Sequence, residues 1–237
     1  MISNNVLNKH KLNLEGRLNQ HEILSSNIAL EQFSNICNTT NHKMVIIGSY
    51  AWNLLLGITN EPKDIDVKTQ FHGTTVDHMI SFFQNFFTSE WFFDIEENKK
   101  THRLNQNKRV YHSQLPYILL HNPSASRIDV IPFNTNEDMV YFSNPIKITH
   151  QEVNIVTAPL NTLIINRILV PRIYKLKNLI GYNRQTVALL TKTQNSKFAT
   201  EIDFTYLREK LKEMDLEDSW NNILQQVKIF NNSENIV

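Results

Sequence analysis

The chain has 237 residues, 41% of them hydrophobic and 10% aromatic, so it can bury a substantial core and does not have the composition of a disordered protein. Its 24 Lys and Arg against 23 Asp and Glu argue against coating of nucleic acid by bulk charge, although a local basic patch is compatible with this sum. The single cysteine, Cys37, excludes an internal disulfide and a cysteine-rich zinc site. Since no apolar run reaches about 18 residues and the N-terminus does not resemble a signal peptide, we expect a cytoplasmic protein.

The first part of the chain mixes predicted helices and strands. Amphipathic spacing over 17–37 predicts one or two helices, and the apolar run 44–47 predicts a buried strand. A short helix is expected over 50–56, ended by Gly57. The later predicted elements are a half-buried strand over 63–68, a helix over 74–87, a strand over 91–95, a polar basic loop over 96–109, and strands over 116–120 and 127–133.

After about residue 155 the pattern becomes helical. Apolar residues recur with helical period over 159–180, 184–191, 203–214 and 216–230. The predicted fold class is therefore α/β (α+β), a mixed β-sheet flanked by helices and followed by a C-terminal helical bundle. The predicted domains are an N-terminal helical segment over 1–40 packed on the core, a core over 41–152 and a helical domain over 153–237.

Two aspartates alternate with apolar residues on one predicted strand. In Lys63-Asp64-Ile65-Asp66-Val67, side chains two positions apart share a face, so Asp64 and Asp66 are held side by side. Their mutual repulsion would be relieved by a divalent cation, and Mg²⁺ prefers carboxylate oxygens together with water and substrate phosphates. This pair predicts a Mg²⁺ or Mn²⁺ site.

Asp129 is the candidate third carboxylate, because it alternates with branched apolar residues in the strand 127–131. A third carboxylate would complete a two-metal site that stabilises both the attacking and the leaving oxygen. Gly48 and Ser49 lie between a predicted strand and a predicted helix, where backbone N–H groups suit a phosphate. Gly48 permits close approach of the backbone, and Ser49 can donate a hydroxyl hydrogen bond.

Each of these features has a more ordinary interpretation. Asp-x-Asp is more often a solvated strand face, and Gly-Ser is more often a turn. Lys63 and Lys68 either supply solubility charge or contact a phosphate, and the basic stretch 99–109 is either a solvated loop or a contact to RNA or triphosphate. A second basic cluster either forms a solvated helix face or lines a cleft; it consists of Arg167, Arg172, Lys175, Lys177 and Arg184. We expect no metal-binding role for His102, His112 and His121. We expect the core to contain Cys37, Trp52, Trp91 and the paired phenylalanines at 82–83, 86–87 and 92–93.

Taken together and in this order, Ile47-Gly48-Ser49, Asp64, Asp66 and Asp129 resemble the signature of the nucleotidyltransferase superfamily that includes polymerase β. The sequence around Gly48 and Asp66 is similar to that of small bacterial and viral members, such as the AbiEii-like nucleotidyltransferases of type IV toxin–antitoxin systems. Those proteins pair the catalytic domain with a C-terminal helical bundle. The resemblance also implies a Lys and a later Asp in the helical half, for which Lys175 or Lys177 and Asp203 are candidates.

The resemblance implies an enzyme that transfers an NMP from an NTP to an acceptor hydroxyl and releases pyrophosphate. Asp64, Asp66 and Asp129 would be the catalytic and metal-binding residues, and Gly48, Ser49, Lys63 and Lys177 would bind the nucleotide. RNA, in particular a tRNA 3′ end, is the favoured acceptor, and an antitoxin protein is a further implied partner. Two alternatives stay open: modification of a small molecule such as an antibiotic, and a non-catalytic module of the same fold that binds nucleotide, RNA or a partner.

Overall fold

The computed structural model describes residues 26–58, 64–71, 76–86, 90–93, 117–121, 124, 126–133, 136–150, 153–174, 176 and 178–234. The described residues form two compact units. One contains residues up to Leu54 and those from 59 to Ala158, and the other contains Leu55–Ile58 and the residues from Pro159 onward. None of the helices within these ranges is both long enough and apolar enough to cross a membrane.

Within the described ranges, a seven-stranded mixed sheet forms the centre of the first unit. The strands are β1 (Met44–Ile47), β2 (Ile65–Thr69), β3 (Trp91–Phe92), β4 (Tyr117–His121), β5 (Ser126–Ile131), β6 (Ile146–His150) and β7 (Val153–Thr157). Their spatial order is β3-β4-β5-β2-β1-β7-β6. The strands β2 and β5 are parallel, as are β1 and β7, and the other neighbouring pairs are antiparallel.

The helices of this unit are α1 (Ser26–Thr39), α2 (Gly48–Leu56) and α3 (Val76–Phe86). Of the aromatic residues expected in the core, Trp52, Phe82, Phe83 and Trp91 are buried, with Trp52 at 3% exposure and Phe83 at 2%. Phe92 and Phe93 are only partly buried, and the expectation for the pair at 86–87 is not tested by the described side chains. The mixed sheet flanked by helices confirms the predicted fold class. The central strands β1, β2 and β5 are mostly buried, and they are rich in the branched apolar residues that are typical of a sheet covered on both faces.

The β6–β7 hairpin and the 3₁₀ segment Asn136–Phe142 have no counterpart among the predicted elements. The run Ile146-Lys147-Ile148-Thr149 alternates as a strand does, but it is short, and the 3₁₀ segment shows no regular period. Because β7 pairs with β1 and the Ala158 N–H donates to the Ile46 carbonyl, the sheet unit continues to Ala158, whereas the predicted core ends at residue 152.

The second unit is helical, with α4 (Leu160–Tyr174), α5 (Leu179–Gln194), a 3₁₀ turn (Ala199–Glu201), α6 (Phe204–Glu213) and α7 (Glu217–Glu234). Trp220 is 1% exposed and stacks on Phe204, with the ring centres 6.4 Å apart, and Leu207 and Leu211 are fully buried. Asp203 begins α6 as its N-cap, because its carboxylate accepts a hydrogen bond from the Tyr206 N–H at 2.9 Å. The helical period seen after residue 155 is therefore that of a real helical unit.

His121 ties α1 to the sheet. It is fully buried at the end of β4, and its Nε2 lies 2.9 Å from Oε1 of Gln32 on α1. Its Nδ1 lies 2.6 Å from the buried hydroxyl of Ser124. Both ring nitrogens thus have hydrogen-bond partners, as a buried imidazole requires. This contact links α1 to the end of β4.

Lys68 forms a buried ion pair with Asp138 of the 3₁₀ segment. Their atoms Nζ and Oδ1 are 2.8 Å apart, and only 2% and 10% of the two side chains are exposed. The Lys68 ammonium also lies 5.3 Å from the ring centre of Tyr141. Burial lowers the pKa of Lys68, and Asp138 opposes part of that shift. Lys68 is therefore neither a solvated charge nor placed to meet a phosphate, and both sequence interpretations of it are wrong.

We predict that Lys68→Met lowers the free energy of unfolding by about 3 kcal/mol, because Asp138 stays buried without its ion-pair partner. Urea unfolding followed by circular dichroism measures the change. Lys210→Met is the matched control, since Lys210 and Glu213 are also 2.8 Å apart but are 45% and 65% exposed, and we expect a change below about 1 kcal/mol there. Equal effects of the two substitutions would contradict the assignment.

Cys37 is fully buried on α1, as predicted. Burial raises the pKa of its thiol to about 12, so very little reactive thiolate forms near neutral pH. We predict that a thiol reagent labels the native protein at about pH 8 only at the rate of unfolding, whereas the chain in urea yields one thiol at once. Rapid labelling of the folded protein would show that this face of α1 is open.

Candidate active site

Asp66 and Asp129 are direct neighbours on the two parallel strands β2 and β5. The register pairs Asp66 with Asp129 and Ile65 with Ile128. Paired residues on adjacent strands point to the same face, so the two carboxyl groups share one side of the sheet. Asp129 is 4% exposed and Asp66 is partly buried. The sheet therefore brings together two carboxylates that are 63 positions apart in the sequence.

The carboxylate of Asp66 packs against the backbone of Gly48. On the other side of β2, Ile47 at the end of β1 is the register partner of Asp66, and Gly48 begins α2 immediately after it. Gly48 has φ of +67°, and a Cβ at this position would lie 2.0 Å from Asp66 Oδ2. Only glycine allows both this backbone conformation and this approach. The N-terminus of α2 thus meets the acidic pair, with Ser49 exposed in its first turn.

The charges at this site penalise ionisation of Asp66. Burial, then the charges of Asp64 and Asp129, raise the pKa of Asp66 to about 8, while Arg127 acts in the opposite direction. Asp64 lies just before β2 and is partly buried, so its charge is felt by the strand-paired carboxylates. Asp64 and Asp129 are therefore close enough to Asp66 to disfavour its ionised form.

Arg127 binds Asp129 with two hydrogen bonds. It lies two residues before Asp129 on β5, so both side chains are on one face. Its Nε donates to Asp129 Oδ1 at 2.5 Å, and its Nη2 donates to Oδ2 at 2.7 Å. Burial lowers the pKa of Arg127, but Asp129, Asp64 and Asp66 more than offset this, and the pKa is raised overall. The guanidinium is a permanent positive charge inside the acidic cluster.

The donor chemistry of this cluster suits a hard divalent cation. Carboxylate oxygens are the ligands that Mg²⁺ and Mn²⁺ prefer. The pKa of Asp66 is raised first by burial and then by repulsion from Asp64 and Asp129, and a cation would relieve this repulsion. Within the part of the chain that the structure describes, no three acidic, His or Cys side chains are already arranged around a common point. Asp64 and Asp66 are the residues that fit a cation, whereas both oxygens of Asp129 are bound by Arg127.

The predicted site residues fall into two groups. Gly48, Asp66 and Asp129 are brought together by contact or by register, Asp64 is coupled to them electrostatically, and Ser49 follows Gly48 on α2. Lys63 and Lys177, predicted to bind nucleotide, lie outside the described residues, as does the basic stretch 99–109. Their roles stay predictions.

Arg127 is the residue at this site that sequence reasoning did not assign. The signal was present, because Arg127 and Asp129 alternate on one strand and must share a face. Of the basic cluster in the helical part, Arg167 is partly buried and stacks on Tyr182, with its Cζ 3.8 Å from the ring centre. Arg172 donates to the Met214 carbonyl at 2.5 Å. Arg167 is therefore packed within the helical unit, whereas Arg172 and Arg184 are exposed, as on a solvated helix face.

No family model matches the chain, and no curated protein matches it. Solved structures with a similar fold include an antigenic nucleotidyltransferase-like protein from Paracoccidioides brasiliensis, 12% identical over 81% of this chain and 92% of that one, with a TM-score of 0.47. Another is the antibiotic-resistance factor ANT(2'')-Ia, 11% identical over 81% of this chain and 94% of that one, with a TM-score of 0.46. Likenesses of this size carry no argument about activity.

Proposed function

We propose that the protein is a metal-dependent nucleotidyltransferase that transfers an NMP from an NTP to an acceptor hydroxyl. The observation that carries this proposal is the register of Asp66 and Asp129 on adjacent parallel strands, with the bare backbone of Gly48 against the Asp66 carboxylate. An acidic pair next to a helix N-terminus offers one place for a cation and one for a phosphate. Those are the two needs of nucleotidyl transfer.

Asp64 and Asp66 would hold Mg²⁺ or Mn²⁺, which supplies positive charge to the triphosphate when bound. The backbone N–H groups at the start of α2 and the exposed Ser49 hydroxyl would bind phosphate oxygens, and Gly48 lets them approach. Lys63 and Lys177 would add positive charge. The side chains thus fix the triphosphate for in-line attack, so that the contribution of the protein is positioning and charge stabilisation.

In the reaction, the acceptor oxygen forms a bond to the α-phosphorus while the bond from that phosphorus to the β-phosphate bridging oxygen breaks. Pyrophosphate leaves with the bonding electrons, and the acceptor proton passes to a carboxylate. Asp129 is the residue that would orient and deprotonate the acceptor, since it lies beside Asp66 on the same face of the sheet. The chemistry needs no covalent enzyme intermediate.

The acceptor is tested by incubating the protein with each NTP labelled at the α-phosphate, with Mg²⁺ or Mn²⁺, and with total cellular RNA. We expect label on RNA of tRNA size. Label on an added small molecule such as an aminoglycoside would instead support the antibiotic-type reaction, and label on neither RNA, protein nor small molecule would support the non-catalytic alternative. An antitoxin partner, implied by the sequence resemblance, and a cytoplasmic location, expected from the composition of the sequence, belong to the same proposal.

Asp64→Asn is the variant that ties transfer to this site. We expect it to lose transfer, because Asp64 is one of the two residues that would hold the cation and its charge acts on Asp66. Asp77→Asn is the matched control, since Asp77 is exposed in the first turn of α3. Equal transfer by the Asp64 and Asp77 variants would place the activity elsewhere.

A further inference from the structure

Arg127 and the proposed cation compete for one set of ligand atoms. Both carboxylate oxygens of Asp129 accept hydrogen bonds from Arg127, at 2.5 Å and 2.7 Å. A carboxylate held in this bidentate way has its best lone-pair directions occupied. A divalent cation that approaches Asp129 to about 2.1 Å along one of these directions must displace the N–H group that occupies it.

The pair is built into the strand rather than formed by a chance encounter of surface side chains. Arg127 and Asp129 are on one face of β5, and their side chains are 18% and 6% exposed. The strand is paired on both edges, with β2 and β4, so its backbone cannot shift to separate the two side chains. Any rearrangement has to come from rotation of the Arg127 side chain, which keeps Asp129 in register with Asp66.

Charge explains why an arginine stands here. The charges of Asp64 and Asp129 act on Asp66, and Arg127 is the cation that acts on Asp66 and Asp129 among the described residues. The guanidinium stays protonated at all working pH values, so it supplies the positive charge that a metal would otherwise supply. In the absence of metal, the cluster is partly neutralised from within the chain.

We propose that Arg127 is a positioning residue that occupies Asp129 in the metal-free protein and must leave it before Asp129 can take part in cation binding. Asp64 and Asp66 then form the primary cation site, and Asp129 joins only when the Arg127 side chain turns away. This inference rests on the proposed function, because it assumes that the acidic cluster binds a divalent cation. The position of the Arg127 side chain would then determine how many cations bind at this site and how tightly they bind.

The test is Mn²⁺ binding to the full chain, measured by electron paramagnetic resonance and by calorimetry without any nucleotide. We expect Arg127→Gln to bind Mn²⁺ roughly tenfold more tightly than the wild type, or to bind one further ion, because a competing charge in contact with the ligand has been removed. Arg127→Lys, which keeps the charge but cannot bind both oxygens, should fall between the two. Arg208→Gln, an exposed arginine of α6, should match the wild type.

The double variant Arg127→Gln/Asp129→Asn isolates the mechanism. If Arg127 acts through Asp129, the gain in Mn²⁺ binding disappears when Asp129 can no longer ligate, whereas a general change in charge would persist. A second readout is thermal unfolding, in which Mn²⁺ should stabilise Arg127→Gln more than it stabilises the wild type. If Arg127→Gln unfolds, Arg127→Lys carries the same comparison.

Unchanged Mn²⁺ affinity and stoichiometry in both Arg127 variants would overturn the inference, and so would a gain that survives the Asp129→Asn change. Failure of the proposed function is seen separately, as the absence of label transfer from any NTP by the wild type. If the variants bind Mn²⁺ as expected and the wild type transfers no label, the inference about Arg127 stands and the proposed enzymatic function is wrong.

Discussion

Replacing Asp66 by Asn is expected to abolish nucleotidyl transfer, by about a thousandfold or more, while the protein stays folded. Asp66 lies at the meeting point of the site, in register with Asp129 and against the backbone of Gly48. The amide has nearly the same shape as the carboxylate but has no charge with which to hold a cation. Label transfer at saturating NTP, compared with the wild type, measures the loss, and circular dichroism reports the fold.

The same substitution should raise stability in alkaline, metal-free buffer. The pKa of Asp66 is about 8 in the folded protein against an ordinary 3.8, so the folded state holds this proton more tightly than the unfolded chain does. The stability that comes from neutral Asp66 is therefore full below pH 3.8 and is lost as the pH rises to about 8. Asn resembles the neutral form, so we expect the advantage of Asp66→Asn to grow over this range and to level off above it.

Urea unfolding in EDTA at several pH values checks this result. Asp77→Asn, at an exposed position, should keep the pH dependence of the wild type. An Asp66→Asn protein that follows the wild-type curve at every pH would show that the three carboxyl groups do not crowd one another. Loss of transfer together with loss of the fold would show that Asp66 is structural.

Gly48→Ala is the second substitution with a large expected effect. A Cβ at this position would lie 2.0 Å from Asp66 Oδ2 and 2.9 Å from its Cγ, so either the carboxylate or the β1–α2 turn must move. The backbone φ of +67° adds strain of about 1–2 kcal/mol for any residue with a Cβ. We expect transfer to fall at least a hundredfold because the acidic pair and the start of α2 lose their relative positions.

Gly57→Ala provides a matched control for the backbone strain. Gly57 ends α2 with φ of +61°, and nothing lies within 4 Å of the Cβ position there. This variant should lose about 1–2 kcal/mol of stability and retain transfer. If Gly48→Ala and Gly57→Ala have equal activity and equal stability, the close approach of Gly48 to Asp66 has no functional weight.

The strands that carry the site could be predicted because their patterns are local. The run 44–47 is apolar and mostly β-branched, and Asp64, Asp66 and Asp129 alternate with such residues. These patterns predict the strands and identify the three aspartates as candidate site residues. Gly48 was also identified, as a position of close backbone approach. The register of Asp66 with Asp129 could not be calculated from these patterns, because pairing between distant strands is set by the whole sheet.

The charged residues were harder to interpret, because sequence shows charge but not its partner. Lys68 shares a strand with Asp66, and the sequence indicates a surface charge or a phosphate-binding charge at this position. In the structure, Lys68 instead forms a buried ion pair with Asp138, which lies 70 positions later in the sequence. The β6–β7 hairpin was missed for a related reason. The alternating run in β6 is short and does not show its pairing partners, whereas the sheet places β6 at the edge and pairs β7 with both β6 and β1.

The measurement that tests the central claim most directly compares one NTP carrying label at the α-phosphate with the same NTP carrying label at the γ-phosphate. The wild type is incubated with each in Mg²⁺ or Mn²⁺ and cellular RNA, beside Asp66→Asn. Nucleotidyl transfer predicts that the α-label moves to the acceptor, that the γ-label appears in pyrophosphate, and that Asp66→Asn does neither. A γ-label on the acceptor, no movement of either label, or equal transfer by Asp66→Asn would contradict it.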